Sequence, residues 1–211
     1  MNDWSNQLEQ DLIWREKELA SLKAYVISID KNSVRYQALL RAMWLLLYAH
    51  YEGFCKFTWD LYLEELENLQ IQRKKCKDEF VKLSLTDSFK RFRGDISDDN
   101  IWKFSSMDFH LLLEKELKFS VKLETDSNLW PNLLKDNSLK VGLDCQLIDI
   151  HRAKLRNLVG RRNEIAHGKK NIIKNIEEYQ PYEQAALEVM HELAVLVVDC
   201  LDKRLYLKES S

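Results

Sequence analysis

The longest stretch of the chain with a single helical period runs from about Val34 to Leu69. Most of its apolar side chains fall within about 60° of one line when successive residues are turned by about 100°. This stripe contains Leu40, Met43, Trp44, Leu47, Tyr51, Phe54, Thr58, Leu61, Tyr62 and Leu69, and it is widened by Leu39, Leu46, His50 and Phe57. A helix with so broad an apolar surface must be buried on several sides.

The composition favours a fold built from helices alone. The 211 residues include five Gly and two Pro, which leaves little material for the tight turns of a many-stranded sheet. Hydrophobic residues make up 45% of the chain, with six Trp, eight Tyr and eight Phe, and this is ample for a packed core. We therefore predict an all-α helical bundle that forms one domain over residues 1–211.

Three further helices are predicted from the same kind of periodicity. The first covers residues 5–29, and the polar run 30–33 ends it. The second covers residues 146–167. The third covers residues 182–205 and carries the apolar spacing of a core helix.

The helical signals weaken between the long helix and the last two. We interpret residues 72–143 as an insertion between core helices. Residues 107–119 are predicted to form a helix within it. A short helix is predicted to begin at residues 130–131, where a Trp precedes a Pro, and to end at residues 141–142.

Positive charge is concentrated in one stretch, although the net charge of the chain is only −2. Residues 151–175 have a net charge of +7, because Glu164 is their only acidic residue, and −9 is left for the rest. The basic residues are Arg152, Lys154, Arg156, Arg161, Arg162, Lys169, Lys170 and Lys174. A basic face on an acidic body is expected where a polyanion docks, and the alternative is a solvated helix face.

The basic stretch contains the run Arg161-Arg162-Asn163-Glu164-Ile165-Ala166-His167-Gly168. Arg162 is a fixed cation, and its guanidinium can brace the charge of a phosphodiester. His167 is a titratable imidazole that can give or take a proton near neutral pH without a metal. The alternative is that His167 and Gly168 only end a helix, with a cationic side chain near the C-terminus and a glycine just past it.

Arg162 lies in the middle of the apolar stripe of its predicted helix. The other members of that stripe are Ile148, Leu155, Leu158, Val159, Ile165 and Ala166. An isolated buried charge is strongly unfavourable. We therefore expect Arg162 to face either a carboxylate inside the bundle or a subunit interface.

The two motif residues point to different sides of an ideal helix. Arg162 and His167 are about 140° apart around the axis and about 7.5 Å apart along it, so one straight helix cannot aim both at one phosphate. A bend at the helix end, the length of the arginine side chain, or a second copy of the motif across a two-fold axis can complete the site. Asn163 and Arg156, by contrast, share the face of His167.

Glu52 is a further candidate, because only Glu52 and Lys56 are charged within the apolar segment 42–59. Two interpretations stay open. Glu52 either pairs with Arg162 or orients His167, which would explain a carboxylate in this helix. Otherwise it lies on the polar edge of the helix beside Lys56.

The sequence predicts neither a metal site nor a cofactor. The cysteines at positions 55, 76, 145 and 200 are far apart, so we interpret them as reduced thiols rather than zinc ligands. There is no Gly-rich phosphate loop, no His-Glu-x-x-His and no acidic cluster for Mg²⁺. The first residues lack a secretory signal and the longest apolar run, 42–49, is too short to cross a bilayer, so we expect a cytoplasmic protein without membrane contact.

The run from Arg161 to Gly168 resembles the signature of the HEPN superfamily (higher eukaryotes and prokaryotes nucleotide-binding). In that superfamily an Arg and a His a few residues apart form the active site of small all-helical ribonucleases. The upstream run Leu45-Leu46-Leu47-Tyr48-Ala49-His50-Tyr51-Glu52-Gly53-Phe54 is similar to the long central helix of the stand-alone MAE-type branch. The resemblance implies a homodimer with paired motifs in a cleft, acting in a toxin–antitoxin or antiphage system.

The chemistry implied by this resemblance is metal-independent cleavage of RNA, in which the 2′-OH attacks the adjacent phosphate. His167 would transfer protons, Arg162 would stabilise the developing charge, and Asn163 would orient the imidazole or contact phosphate. Arg156, Arg161, Lys169 and Lys170 are the predicted RNA-binding residues. The implied partners are RNA, a second copy of the chain, and an antitoxin or another defence-system protein.

Two functions without cleavage also fit the sequence. One is a HEPN-like bundle that binds a nucleotide or a partner without turnover. The other is an interaction protein in which the paired motif only stabilises a dimer. The presence of Arg162, Asn163 and His167 together favours the enzyme, because a pure scaffold has no need of all three groups.

Overall fold

Helices are the only regular secondary structure in residues 3–208, the part of the chain that the computed structural model describes. In chain order they are α1 (Asp3–Ile27), α2 (Val34–Asn68), α3 (Asp78–Ser84), α4 (Thr86–Gly94), α5 (Asp98–Lys103), α6 (Phe109–Glu114), α7 (Pro131–Lys140), α8 (Leu147–Ile150), α9 (Arg152–Ala166) and α10 (Ile176–Asp202). The same range holds a 3₁₀ turn (Arg73–Lys75) and a π-helical turn (Phe104–Asp108). The predicted all-α fold is confirmed.

Helix α2 lies at the centre of the bundle, and α1, α9 and α10 all pack against it. Every residue of the predicted apolar stripe is buried except Leu69, which caps the end of the helix and is exposed. Trp44 adds a polar contact, because its Nε1 donates a hydrogen bond to the Leu158 carbonyl oxygen at 3.0 Å. The prediction that this helix is buried on several sides is confirmed, and Trp44 fixes α9 against it.

The last helix begins at Ile176 and not at residue 182, so the predicted start was wrong. Asn175 sets the start, since its side-chain oxygen accepts a hydrogen bond from the Glu178 backbone N–H at 3.0 Å. Pro181 lies in the second turn, where its missing N–H removes one helical hydrogen bond without ending the helix. The early start matters because the extra turn carries Glu178, which contacts α9.

Replacing Asn175 by Ala removes this cap, and we expect the free energy of unfolding to fall by about 1 kcal/mol. Urea denaturation followed by circular dichroism measures the change. Asn175→Asp keeps an accepting oxygen and should retain most of the stability. Equal losses in the two variants would show that the side-chain hydrogen bond does not cap the helix.

The helix predicted over residues 146–167 is interrupted, which corrects that prediction. His151 has φ −97° and ψ 9°, so α8 is a single turn and α9 begins at the next residue. His151 is buried, and its Nε2 lies 2.5 Å from Oε2 of Glu188 on α10. Because Glu188 is 37 residues further along the chain, a local period gives no sign of this contact.

The segment 72–143 contains a series of short helices. The helix predicted over residues 107–119 is too long, since α6 ends at Glu114. Lys115 is extended, and its carbonyl oxygen accepts a hydrogen bond from the Arg73 backbone N–H at 2.9 Å. Pairing with this distant segment therefore ends the helix. That residues 72–143 are an insertion stays a prediction.

The short helix predicted after residue 130 is confirmed as α7, with Pro131 at its first position. It ends before Val141. The following Gly142 has φ +72°, in the left-handed region that favours glycine. Helix α7 packs against α8 and against α9, the helix that carries Arg162.

The four cysteines are buried as free thiols, in agreement with their interpretation as reduced side chains. Burial raises the pKa of Cys76 to about 11, so this thiol stays protonated near neutral pH. Within residues 3–208 no helix is both long enough and apolar enough to cross a bilayer.

Candidate functional site

Arg162 is half-buried and is held by neutral groups. Its Nη1 donates hydrogen bonds to Oδ1 of Asn128 at 3.0 Å and to Oδ1 of Asn163 at 2.8 Å. Its guanidinium carbon lies 4.3 Å from the centroid of the Tyr48 ring, in cation–π contact. A carboxylate partner was one of the two predicted environments, and in the described range the guanidinium has two amide oxygens and an aromatic ring instead.

The contacts of Arg162 leave one edge of its guanidinium open. A guanidinium carries five N–H donors, and the two on Nη1 are used by Asn128 and Asn163. The N–H groups of Nε and Nη2 have no partner within residues 3–208. The Nε N–H and one Nη2 N–H lie side by side and form the fork that binds two oxygens of one phosphate. Arg162 is therefore fixed in position and still able to bind an anion.

Two tyrosines of α2 hold the segment that supports Arg162. The Leu129 backbone N–H donates to the Tyr48 hydroxyl at 2.9 Å, and the Tyr51 hydroxyl donates to the Leu129 carbonyl oxygen at 3.3 Å. Both rings are buried. The backbone next to Asn128 is thus fixed on both sides, which sets the position of the amide that accepts from Arg162.

The turn that presents Asn128 has an unusual backbone. Asp126 and Ser127 both have positive φ, at 49° and 64°, and the Asn128 N–H donates to the Thr125 carbonyl oxygen at 2.8 Å. Two consecutive residues of this kind form a type I′ turn, in which glycine or asparagine is usual. Each non-glycine residue there costs on the order of 1 kcal/mol, and such backbones cluster at functional sites.

His167 caps the C-terminus of α9, and its side chain is exposed. Gly168 follows with φ +75°, and its N–H donates to Ile165 O at 3.0 Å. The Lys169 N–H donates to Glu164 O at 2.9 Å, which completes a Schellman motif. The helix-ending interpretation is thus correct for the backbone. The imidazole itself has no hydrogen-bond partner in the described part of the chain, so it is free to act on a ligand.

Helix α9 is regular up to Ala166, so no bend within the motif brings Arg162 and His167 together. Asn163 lies between them. Its Oδ1 is tied to Arg162, and it shares the face of His167 four residues later. The amide Nδ2 of Asn163 has no hydrogen-bond partner in residues 3–208. Of the predicted ways to complete the site, the reach of the arginine side chain and a second copy remain.

Glu52 is half-buried and lies beside Tyr48. Burial raises the pKa of Tyr48 far above its ordinary value, and the adjacent Glu52 carboxylate adds to the rise, so the phenol stays neutral. Within residues 3–208 Glu52 forms no ion pair with Arg162, His167 or Lys56. The predicted pairing with Arg162 or His167 is therefore absent from the described part of one protomer, although Glu52 and Arg162 both lie near Tyr48. The other interpretation, a carboxylate on the polar edge of α2 one turn before Lys56, agrees with the half-buried Glu52 and the exposed Lys56.

The predicted RNA-binding residues divide into two groups. Arg156, Lys169 and Lys170 are exposed. Arg156 and Lys170 have no hydrogen-bond or ion-pair partner in residues 3–208, and Lys169 lies 3.6 Å from Glu164. These three side chains are available to a polyanion. Arg161 is the exception.

Arg161 is engaged inside the bundle. Its Nη1 lies 2.5 Å from Oε1 of Glu178 on α10, and its guanidinium carbon lies 5.0 Å from the centroid of the Trp44 ring on α2. Burial opposes the charge on Glu178, but hydrogen bonds from the Lys174 backbone N–H and from Arg161 hold the pKa of this carboxyl below its usual value. Arg161 therefore joins three helices, which is a structural role that the sequence did not indicate.

The supporting residues Tyr48 and Asn128 were not predicted from the sequence. Tyr48 is one of many aromatic residues on α2, and its spacing carries no sign of contact with α9. Asn128 lies 34 residues before Arg162, in the segment with the weakest helical signal. A turn-forming Asp-Ser-Asn run was the only available signal. Within residues 3–208 no three His, Cys, Asp or Glu side chains lie together as metal ligands.

Comparison with known protein families identifies a match. The model of the MAE_28990-like HEPN family matches residues 4–206, a range that contains α2, the turn at Asn128 and both motif residues. Neither a curated protein nor a solved structure matches the chain.

Proposed function

Because the chain belongs to the MAE_28990-like HEPN family, we propose that it is an endoribonuclease that cleaves RNA without a metal ion. One observation carries the proposal: a tethered Arg162 and an exposed His167 occur in the last two turns of one basic helix. Tethering supports catalysis, because a charged group stabilises a transition state best when it is already in place. Arg162 meets this condition through Asn128 and Asn163.

In the proposed reaction the 2′-oxygen forms a bond to the adjacent phosphorus, and the bond from phosphorus to the 5′-oxygen breaks. The 2′-hydroxyl loses a proton and the departing 5′-oxygen gains one, and His167 serves one of these transfers. The open edge of Arg162 binds the phosphoryl oxygens and stabilises their added negative charge. Asn163 presents its amide N–H groups to the same phosphate. The products are a 2′,3′-cyclic phosphate and a 5′-hydroxyl.

A homodimer is part of the proposal, because one copy of α9 separates the two motif residues. Gly160 supports it. This residue lies on the His167 face, and a Cβ added to it meets no atom within 4 Å, so packing within one protomer does not explain a glycine there. Gly in a helix interior costs about 1 kcal/mol relative to Ala. Close approach of a second copy of α9 at Gly160 accounts for that cost, and it brings His167 of the partner subunit to the phosphate that Arg162 binds.

A HEPN-like module that binds nucleotide without turnover is the second candidate. It is favoured by the lack of any hydrogen bond that orients the His167 imidazole within residues 3–208. Under the first candidate the chain is a toxin or an antiphage effector, and a cognate antitoxin or defence-system protein restrains it. Cleavage separates the two candidates.

We expect the purified protein to cleave single-stranded RNA in excess EDTA and to leave DNA of the same sequence intact, since DNA lacks the attacking 2′-OH. Electrophoresis of a 5′-labelled 30-mer detects cleavage, and mass spectrometry identifies the cyclic phosphate. The matched control is the same oligonucleotide with 2′-deoxyribose at the cleaved position. Binding of RNA without cleavage would assign the chain to the second candidate.

A further inference from the structure

A cavity of about 670 Å³ opens beside the end of α9. It is lined by Asn32, Ser33, Val34, Gln37, Arg41, Ile165, Gly168, Lys169 and Lys170. The walls come from the turn before α2, the first turns of α2, and the end of α9 with the loop after it. A volume of this size lies in the range of small-molecule binding sites. The α2 side of the cavity was not predicted from the sequence.

The charge of the lining is entirely positive. Arg41, Lys169 and Lys170 line the cavity, and no carboxylate does. By contrast, a groove of about 560 Å³ between α1 and α10 has a mixed lining, with Glu16, Glu183 and Glu188 beside Lys23 and His191. An anion is therefore attracted more strongly to the cavity beside His167 than to the groove between α1 and α10.

The long polar side chains of the lining are also free, whereas the Ser33 hydroxyl caps α2. The side chains of Gln37, Arg41 and Lys170 have no hydrogen-bond or ion-pair partner in residues 3–208, and Lys169 has only its contact with Glu164 at 3.6 Å. Val34 and Ile165 add aliphatic surface. The cavity thus combines cations for a phosphate, an amide for the edge of a base, and apolar side chains for its face.

We propose that this cavity binds the nucleotide next to the scissile phosphate of single-stranded RNA, an inference that rests on the proposed ribonuclease function. Gly168, which lines the cavity, directly follows His167, so their Cα atoms are about 3.8 Å apart. A phosphate bound to Arg41 and Lys170 places the base between Val34 and Ile165. The next phosphate along the strand then lies at His167.

The lining selects a single strand over a duplex. A base can enter the cavity only when it is unstacked and turned out, as in loops and single strands. The Gln37 amide offers both a donor and an acceptor to the edge of that base, which is the chemistry of sequence readout. Arg41 and Lys170 contact phosphate and bind every sequence equally.

The first test measures binding in the absence of cleavage. His167→Ala protein is titrated into 5′-fluorescein-labelled RNA 12-mers of single-stranded sequence, and Kd is read from fluorescence anisotropy. Arg41→Ala added to this protein should raise Kd about tenfold and lower the slope of log Kd against log salt by about one. Arg35→Ala is the matched control, because it removes the same charge from the N-terminal part of α2 without lining the cavity.

The second test fills the cavity or removes its amide. Val34 is 86% exposed, so Val34→Trp should fold normally, and we expect it to raise Kd about tenfold. Gln37→Ala should leave the mean Kd within about threefold but should reduce the base preference at one position of the 12-mer. Arg41→Ala, by contrast, should weaken all sequences alike.

The outcomes distinguish a failure of the proposed nucleotide site from a failure of the proposed ribonuclease function. If Arg41→Ala and Val34→Trp both bind RNA within about twofold of the Arg35→Ala control, the cavity is not a nucleotide site, even when the wild type cleaves RNA. If both variants bind RNA weakly while the wild type never cleaves it, the cavity is a nucleotide site and the proposed catalytic function is wrong. Competition by 5′-AMP but not by inorganic phosphate supports a site for a whole nucleotide. Equal competition by the two overturns the assignment of the base.

Discussion

RNA cleavage should fall at least about 100-fold in kcat/KM when His167 is replaced by Ala, with the fold left intact. The imidazole is exposed and has no partner in residues 3–208, so its removal leaves no cavity and no unsatisfied group. Gly168 still ends the helix through its own backbone hydrogen bonds. The melting temperature should therefore change by less than about 2 °C.

Cleavage of a labelled RNA in EDTA and thermal unfolding followed by circular dichroism measure the two effects. His110→Ala is the matched control, because His110 is an exposed histidine on α6, far along the chain from the motif. It should cleave RNA at the wild-type rate. Expression of the wild type should arrest growth, and expression of His167→Ala should not. A His167→Ala protein with wild-type cleavage would end the assignment of His167 to proton transfer.

Arg162→Ala should lose cleavage to a similar extent and should also lose stability. Its removal leaves the amide oxygens of Asn128 and Asn163 without their donor and uncovers the Tyr48 ring. We expect the free energy of unfolding to fall by about 1–2 kcal/mol, because Arg162 is only half-buried and water can replace part of the lost contacts. Urea denaturation and the cleavage assay measure the two losses separately.

Arg162→Lys tests whether the fork is needed or only the charge. An ammonium cannot bond Asn128, Asn163 and two phosphate oxygens in one plane, so we expect cleavage to fall at least about tenfold. Asn128→Ala, which releases the guanidinium but leaves it present, should give an intermediate loss in kcat. Full activity of Arg162→Lys would mean that the position supplies only general positive charge.

Mixing Arg162→Ala and His167→Ala subunits extends the same experiment to the dimer. If one turnover uses Arg162 of one protomer and His167 of its partner, mixed dimers should regain part of the activity that each variant lacks. Gly160→Arg should give a folded monomer without cleavage. A stable monomer that cleaves RNA at the full rate would place both residues of the site in one chain.

The sequence alone determined the fold class, the central helix and the position of the motif. These properties are local. A helix of 35 residues with a broad apolar surface removes that surface from water by packing among other helices. The apolar stripe of α2 is buried in this way, as predicted. Gly168 likewise determines where α9 ends, because the left-handed backbone that closes a helix favours glycine.

The helix boundaries that were wrong are set by hydrogen bonds, two of them to distant residues and one to a local cap. The break at His151 depends on Glu188 of α10, and the end of α6 depends on the pairing of Lys115 with Arg73. The first turn of α10 depends on the cap at Asn175, and apolar spacing does not reveal a polar cap. In each case a hydrogen bond changed a boundary that hydrophobic periodicity does not encode.

The environment of Arg162 was decided by the tertiary structure. From the sequence, a cation on an apolar stripe requires a partner, but its identity depends on which surfaces the fold brings together. The partners are Tyr48 on α2 and Asn128 in a strained turn, 114 and 34 positions from Arg162 in the sequence. The cavity beside His167 has the same origin, since Arg41 and Lys170 meet there only because α9 packs on α2. Local patterns determine which faces must be buried, whereas the polar contacts between those faces depend on side chains that only folding brings together.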